Sequence, residues 1–403
     1  MTSEQKTSSN HAGKQRVVGT GAKSAAPRIG VIGGGQLARM MQEAAAPLGI
    51  ELDALVEASD GSAAQVIPES RVAQADDVAA IMELARHVDA LTVEHEHVPE
   101  ATLKQAEQFA PVRPNATALR YAQDKIAMRT RMGELGIPGP RWFTVNSADD
   151  VAAALRELGG RAVLKTPRDG YDGKGVRIID DVRQADDWFA EGPLLVEELI
   201  PFEMEVAQLV ARRPSGEIRS WPVVRTVQQQ GTCFEVVAPA PGIGEALATE
   251  IRELGESIAR ELAVVGILAV ELFLARDSDG TLRPYVNELA MRPHNSGHWT
   301  IEGSTTSQFE QHVRAVLDLP LGDTALRAPW SVMVNILGSQ LRDPRDAYPQ
   351  AMARYPSVKF HMYGKAVKPR RKIGHVTAVG SDLQAALAAV HGAAAILRGE
   401  DSE

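Results

Sequence analysis

The chain has 403 residues, 44% hydrophobic and 24% charged, an ordinary globular balance too long for one small core, so two or three domains are expected. A net charge of −9 gives no long-range pull on polyanions and argues against nucleic-acid binding; the one basic cluster, Lys365, Lys368, Arg370, Arg371 and Lys372, is sized for a single phosphate. No apolar run approaches the roughly 20 residues that cross a bilayer, and a lone cysteine, Cys233, excludes an internal disulfide or thiolate metal cluster, which fits a reducing cytoplasmic setting with no membrane role.

Residues 1–26 are polar and small-residue rich, and are expected to be a disordered tail. A buried strand over 28–32, a turn at Gly33-Gly34-Gly35, a helix over 36–48 and a strand over 51–56 follow. A helix over 81–86, a strand over 91–93 and a helix over 100–109 continue a βαβ rhythm, hence a mostly parallel, Rossmann-like sheet over 27–117. A long helix over 118–135 stops at Gly136-Ile137-Pro138 and opens a second domain, 118–325. Its strands are expected at 162–165, 176–179, 194–198, 206–211, 221–227, 268–273 and 285–288, in antiparallel α+β style, with helices over 245–262 and 306–317. A small third domain, 326–398, carries strands near 332–337 and 375–379 and an Ala-rich helix over 382–397.

Gly33, Gly35 and Ala38 fit a G-x-G-x-x-G/A turn, and Glu57 falls where the ribose-binding acid of an NAD site would lie. The physics licenses an anion at a helix N-terminus, whichever molecule carries it, or glycines kept for tight helix-strand packing. A second nucleotide apparatus lies further on. Phosphoryl transfer needs cations on the phosphates, acids for Mg²⁺ and closure against water. Lys165 ends an apolar strand, Gly170-Tyr-Asp-Gly-Lys-Gly175 can close over phosphates, and Glu271 and Glu288 sit with Asn287 in otherwise apolar strands, which carboxylates avoid unless paired or metal-bound. A solvated strand-end lysine, a glycine hairpin and outward-facing acids are the plainer readings. The run Arg292-Pro-His294-Asn295-Ser-Gly-His298-Trp299 has no helical or strand period; it offers a planar guanidinium fork for an anion, with donors around it. Zinc on two of its histidines would lack a cysteine nearby.

The strings Gly33-Gly-Gly-Gln36-Leu37-Ala-Arg39-Met40, Glu94-His-Glu96-His97-Val98, Gly170 to Gly175 and Asn287 to Trp299 together resemble the N5-carboxyaminoimidazole ribonucleotide synthetase family, over nearly the whole chain beyond its tail. The resemblance implies an ATP-grasp fold: a Rossmann-like first domain, a central ATP-grasp domain and a small C-terminal domain. It also implies a reaction in which ATP, bicarbonate and 5-aminoimidazole ribonucleotide give ADP, phosphate and the N5-carboxylated ribonucleotide, for purine synthesis. Carried over by residue, Lys125 and Lys165 contact ATP phosphates, and Gly170, Tyr171, Asp172, Gly173, Lys174, Gly175 and Val176 form the lid. Glu197, Glu198, Leu199, Ile200 and Glu205 line adenosine, with Gln228, Asn287 and Glu288 beside the nucleotide. Glu271 and Glu288 hold Mg²⁺, or Mn²⁺ in its place. Tyr171, Asp172, Arg292, His294 and Asn295 face bicarbonate and the ribonucleotide. Lys365, Arg371 and Lys372 lie near its phosphate, and Gln36 and Glu96 complete that pocket. A homodimer and a mutase that receives the product are implied in the same way.

Two positions depart from the family. Gln228 stands where many relatives have His, which removes acid-base work there; Lys125 replaces an Arg of some relatives and loses a bidentate grip. Against this reading stand another ATP-grasp ligase, such as a formate-dependent glycinamide ribonucleotide transformylase, and an NAD-binding oxidoreductase built on the Gly33 turn.

Overall fold

The computed structural model describes residues 26–168, 170 and 174–400. Apart from Ala26, the expected tail lies outside them, and so do Tyr171, Asp172 and Gly173 of the expected lid.

Strands β1 (Arg28–Ile32), β2 (Glu51–Val56), β3 (Glu69–Val72) and β4 (Ala90–Val93) form a parallel sheet in the order β3-β2-β1-β4. β1 reads as a continuous apolar run because both faces are covered. Helix α1 (Gln36–Ala45) buries Leu37, Met40 and Met41 on one face; α2 (Val78–Ala85) and α3 (Glu100–Ala106) bury Ile81, Leu84 and Leu103 on the other.

The glycine turn between β1 and α1 is occupied from within. Gly34 N–H donates to Glu57 at 3.1 Å, and Gly35 and Leu37 N–H donate to the buried Glu94 carboxylate at 3.0 and 3.2 Å. These are donors that a helix N-terminus leaves unpaired and that a bound anion would otherwise take. The open anion seat read from the sequence is therefore filled by the chain's own carboxylates, and Glu57 is committed to Gly34 and to His95, 3.1 Å away. Gly35 is required for this approach, since a Cβ there would lie 2.2 Å from Glu94 Oε1.

The single helix expected over 118–135 is two, α4 (Ala116–Gln123) and α5 (Lys125–Glu134). Asp124 leaves helical geometry between them and caps α5 through Ala127 N–H at 3.0 Å. Next come β5 (Trp142–Val145), α6 (Ala148–Glu157), β6 (Ala162–Lys165), β7 (Val176–Ile179) and β8 (Leu194–Glu198), with an antiparallel sheet in the order β5-β8-β6-β7. β5 and α6 were not expected, although Ser147 caps α6 and Asp149 and Asp150 fill its first turn, a legible start signal.

The larger sheet holds β9 (Met204–Arg212), β10 (Ile218–Ser220), β11 (Val224–Gln229), β12 (Thr232–Ala238), β13 (Gly266–Arg276) and β14 (Leu282–Ala290), with α7 (Glu245–Glu261) packed on β9 and β13. The strand expected over 221–227 begins three residues later; Trp221 instead lies buried, its Nε1 donating to Ser304 Oγ at 3.0 Å. After α8 (Thr300–Gly303) and α9 (Gln308–Val316), which packs on α1, come β15 (Trp330–Leu337), α10 (Tyr348–Arg354), β16 (Lys359–Met362), β17 (Lys372–Gly380) and α11 (Leu383–Arg398). The last three strands have their own core under α11, yet they extend the same sheet, in the order β14-β13-β9-β11-β12-β15-β17-β16 with β10 beside β9. The C-terminal segment is thus continuous with the middle of the chain through β12, a fully buried strand missing from the sequence reading.

Gly35→Ala should destabilise the fold by about 1–3 kcal/mol, because the new methyl must displace Glu94. Gly133→Ala, in open space on α5, should be neutral or slightly stabilising. Thermal unfolding of the two variants beside the wild type checks the contrast.

Candidate active site

The two antiparallel sheets and the C-terminal edge of the parallel sheet enclose a cavity of about 850 Å³. A buried ion triad stands in its wall, with Lys165 and Glu197 lining the cavity and Arg129 behind them. Arg129, on the apolar face of α5, donates Nε to Glu197 Oε1 at 2.6 Å, and Lys165, at the end of β6, reaches Glu197 Oε2 at 2.6 Å. Arg129 also donates to the carbonyls of Val286 and Asn287 at 2.6 and 2.9 Å, and Lys165 Nζ donates to Asn287 Oδ1 at 3.1 Å. Burial pushes the Glu197 carboxyl up, but the flanking Lys165 and Arg129 outweigh it and hold the group down to about 2. Burial lowers the Lys165 ammonium as well, with Glu197 opposing that shift and the Arg129 charge adding to it. The triad stays ionised because its one carboxylate answers two cations. Glu197, expected to read adenosine, is therefore spent on Arg129 and Lys165, although it lines the cavity. Sequence reading missed Arg129; its signal was its place with Lys125, Met128 and Met132 at helical spacing on one face.

Glu271 and Glu288 are cross-strand partners on β13 and β14. The register shifts just beyond them, Leu272 pairing with Val286, so Asn287 is an extra residue on β14. This bulge lets neighbouring Asn287 and Glu288 both serve the cavity, which plain alternation would forbid. Burial first, then the Glu288 and Glu205 carboxylates, push the Glu271 carboxyl up to about 8, and burial alone pushes Glu205 up to about 7. Lys125 Nζ lies 3.8 Å from Glu288 and donates to the Gly170 carbonyl at 3.3 Å. The acid group is thus short of positive charge. Among the described residues no set of three or more His, Cys, Asp or Glu has the arrangement of a complete metal site. Two opposed carboxylates with an amide oxygen beside them fit a hard cation that takes its remaining oxygens from phosphates and water.

In the loop after β14, Arg292 Nε lies 2.9 and 3.0 Å from the two oxygens of Glu96. His294 is fixed by Gln308, which accepts from its N–H at 2.8 Å and donates to its carbonyl at 2.7 Å. Its Nδ1 accepts from Ser296 N–H at 3.3 Å, leaving Nε2 to face Glu271 at 3.3 Å. Burial, then the charges of Arg292 and Lys372, keep this imidazole neutral, well below its ordinary range. Asn295 lies at the cavity wall beside Cys233, whose thiol burial raises to about 12. Gln228 lines the same wall, opposite Cys233 in the β11–β12 pair.

Gln36, Glu96 and Lys372, expected around the second substrate, line the cavity. Lys365 does not line it directly but bonds the Gln36 side chain. Arg371 is exposed, its guanidinium donating to the Ala366 carbonyl at 3.3 Å. Elsewhere in the cavity Leu199 and Ile200 join Val163, Val176 and Ile178 near a stacked pair, Phe202 and Phe273, 4.7 Å apart, forming an apolar slot that fits a purine base. Glu198 borders that slot and pairs with Arg141 at 3.2 Å. Lys174 lines the cavity, and the Gly175 carbonyl accepts from Thr166 N–H at 2.9 Å, which ties the lid strand to β6.

Three family descriptions match successive stretches: a ribonucleotide synthetase preATP-grasp domain over residues 27–123, an ATP-grasp domain over 130–309, and a phosphoribosylaminoimidazole carboxylase C-terminal domain over 331–389. The chain is 46% identical over 374 residues to the N5-carboxyaminoimidazole ribonucleotide synthase of Mycobacterium tuberculosis, covering 89% of this chain and 85% of that one. It resembles the solved structure of an N5-carboxyaminoimidazole ribonucleotide synthetase in complex with ADP, with a TM-score of 0.85, 35% identity, and 94% and 99% of the two chains covered. It also resembles the Aspergillus clavatus N5-carboxyaminoimidazole synthase in complex with ADP and 5-aminoimidazole ribonucleotide, with a TM-score of 0.83, 30% identity, and 92% and 98% covered.

Glu197→Gln keeps the shape of the triad and leaves Arg129 and Lys165 without a countercharge, which should cost about 3–5 kcal/mol of stability at pH 7. The Glu197 carboxyl is lowered on folding from 4.5 to about 2, so its stabilisation is complete above the ordinary carboxyl range and is lost as pH falls through that window. The gap between wild type and variant should therefore be smaller by about 2 kcal/mol at pH 3 than at pH 7, measured by urea unfolding.

Proposed function

This chain belongs to the N5-carboxyaminoimidazole ribonucleotide synthase family of ATP-grasp ligases, and from that premise we propose how its own residues carry out the ATP-dependent carboxylation of 5-aminoimidazole ribonucleotide. The observation that carries the assignment is one cavity with two ends. Lys125, Lys165 and the opposed Glu271 and Glu288 meet beside an apolar base slot, while His294 stands against Glu271 and, with Arg292 and Asn295, lines the part of the cavity where a second substrate fits.

Bicarbonate is a poor electrophile because its charge is delocalised. Transfer of the ATP γ-phosphoryl group to a bicarbonate oxygen gives carboxyphosphate, whose carbon the exocyclic amine attacks; the new C–N bond forms as the C–O bond to phosphate breaks. Mg²⁺ held by Glu271 and Glu288 would draw charge from the β- and γ-phosphates. Lys125 and Lys165 steady those phosphates, Lys165 being delivered by Glu197 and Asn287. Arg292, oriented by Glu96, grips the carboxylate of the intermediate. Neutral His294 serves as a donor through Nε2, since its Nδ1 is engaged by Ser296. That orientation suits stabilising oxygen charge and not removing the amine proton, which leaves on the departing phosphate. The segment through Gly170 and Gly175 keeps water from an intermediate that otherwise hydrolyses. Lys372, Lys365 and Gln36 receive the ribonucleotide's phosphate.

The proposal includes functional units over 27–117, 118–325 and 326–398, a cytoplasmic homodimer, and a mutase that consumes the carbamate; sedimentation of the purified chain tests the dimer. ADP release from Mg-ATP and bicarbonate should rise strongly with 5-aminoimidazole ribonucleotide and incorporate one bicarbonate per ADP. Stimulation only by glycinamide ribonucleotide with formate would replace the substrate. Glu288→Ala should abolish ATP turnover with an intact circular dichroism spectrum; normal ADP release by that variant would count against the cation site. Arg292→Ala should spare ATP binding but uncouple hydrolysis from carboxylation, read as ADP formed per carbon fixed.

A further inference from the structure

The first and last parts of the chain are fastened together beside Gln36, at the cavity wall. Ser62, itself buried, donates Oγ to the Tyr363 carbonyl at 2.6 Å. Gln65 donates Nε2 to the Gly364 carbonyl at 2.9 Å and accepts from Arg39 through Oε1 at 3.2 Å. The Arg39 guanidinium also donates to the Ser62 carbonyl at 3.4 Å. Gly364 has φ of 67°, and a Cβ there would lie 2.0 Å from Gln65 Oε1, so the amide rests directly on backbone that only glycine provides. Tyr363 is held from the other side as well, its hydroxyl 2.7 Å from His375 Nδ1 and its N–H donating to the Ile373 carbonyl at 3.0 Å. The next residue, Lys365, lies 5.9 Å over the Tyr363 ring and bonds Gln36. Gln36 and Arg39 stand one turn apart on α1.

We propose that Arg39, Ser62 and Gln65 are positioning residues for the ribonucleotide's 5′-phosphate, acting as a clasp that fixes Tyr363 and Gly364 so that the Lys365 ammonium stands against Gln36. This rests on the reading above that Gln36 and Lys365 receive that phosphate. A lysine is a point charge on a flexible stem, so its grip depends on how firmly its backbone is held. The clasp supplies that firmness across some 300 residues of chain without touching substrate. Because α1 carries both Gln36 and Arg39, the polar group at the phosphate and the brace behind the cation belong to one rigid element.

The test compares 5-aminoimidazole ribonucleotide with its 5′-dephosphorylated riboside at saturating ATP and bicarbonate, for wild type, Ser62→Ala, Gln65→Leu and Ser62→Thr. In Ser62→Ala and Gln65→Leu, KM for the ribonucleotide should rise about five- to tenfold, the loss of one hydrogen bond's worth of placement. The kcat, the KM for ATP and the kcat/KM for the riboside should stay unchanged. Ser62→Thr, which keeps the hydroxyl, should restore the wild-type KM. Equal losses with ribonucleotide and riboside, or an unmoved KM in well-folded variants, would overturn the clasp. If Ser62→Ala does not fold, Gln65→Leu, on an exposed side chain, carries the comparison alone. A wild type that does not favour the ribonucleotide over the riboside overturns the phosphate assignment itself, and the clasp with it.

Discussion

A carboxylate buried between two cations organises this molecule. Glu197 is 2% exposed, and the groups that converge on it come from four places: α5 through Arg129, β6 through Lys165, β8 itself, and β14 through the carbonyls that Arg129 also binds. Taking three charges out of water is expensive, and replacing such a group with apolar residues is often neutral for stability. Its value here is placement. One of the three, Lys165, borders the cavity beside Asn287, so the ionic lock that joins the two antiparallel sheets also aims an ammonium group at the cavity.

The opposed acids depend on that placement. Burial and the facing Glu288 raise the proton affinity of Glu271 across a strand pair, and the bulge at Asn287 turns its side chain toward Lys165. The acids are therefore flanked by cations: Lys125 beside Glu288, and Arg292 and Lys372 toward Glu271. That polarity suits the assembly of a polyphosphate, a metal and a second anion in one space.

Much of this was legible in the sequence. The apolar runs of β1, β4, β6 and β8 announced strands, and acids embedded in β13 and β14 announced a site because carboxylates rarely sit in such runs. The polar string after β14 and the family strings together pointed to the chemistry. What escaped has physical reasons. The break at Asp124 costs only one residue of helical geometry, and its capping role appears only once Ala127 is known to be helical. Arg129 went unread because its partner Glu197 is 68 residues away. The turn at Gly33 advertised an anion without saying that Glu94, from the end of another strand, would be that anion. β12 was invisible as the link to the C-terminal strands because sheet order is decided by pairings far apart in sequence.

The continuity of the large sheet has a mechanical consequence. Glu271, Glu288 and Lys372 hang from strands of one hydrogen-bonded ladder, so their mutual distances are set by backbone and change little. Lys165 belongs to the small sheet β5-β8-β6-β7 and reaches the large one through its hydrogen bond to Asn287 of β14. A displacement of the small sheet would therefore carry Lys165 against acids whose spacing is fixed. The joint between the two parts is where Arg129 and Lys165 hydrogen-bond residues 286 and 287 of β14, with Lys125 beside Glu288 of the same strand.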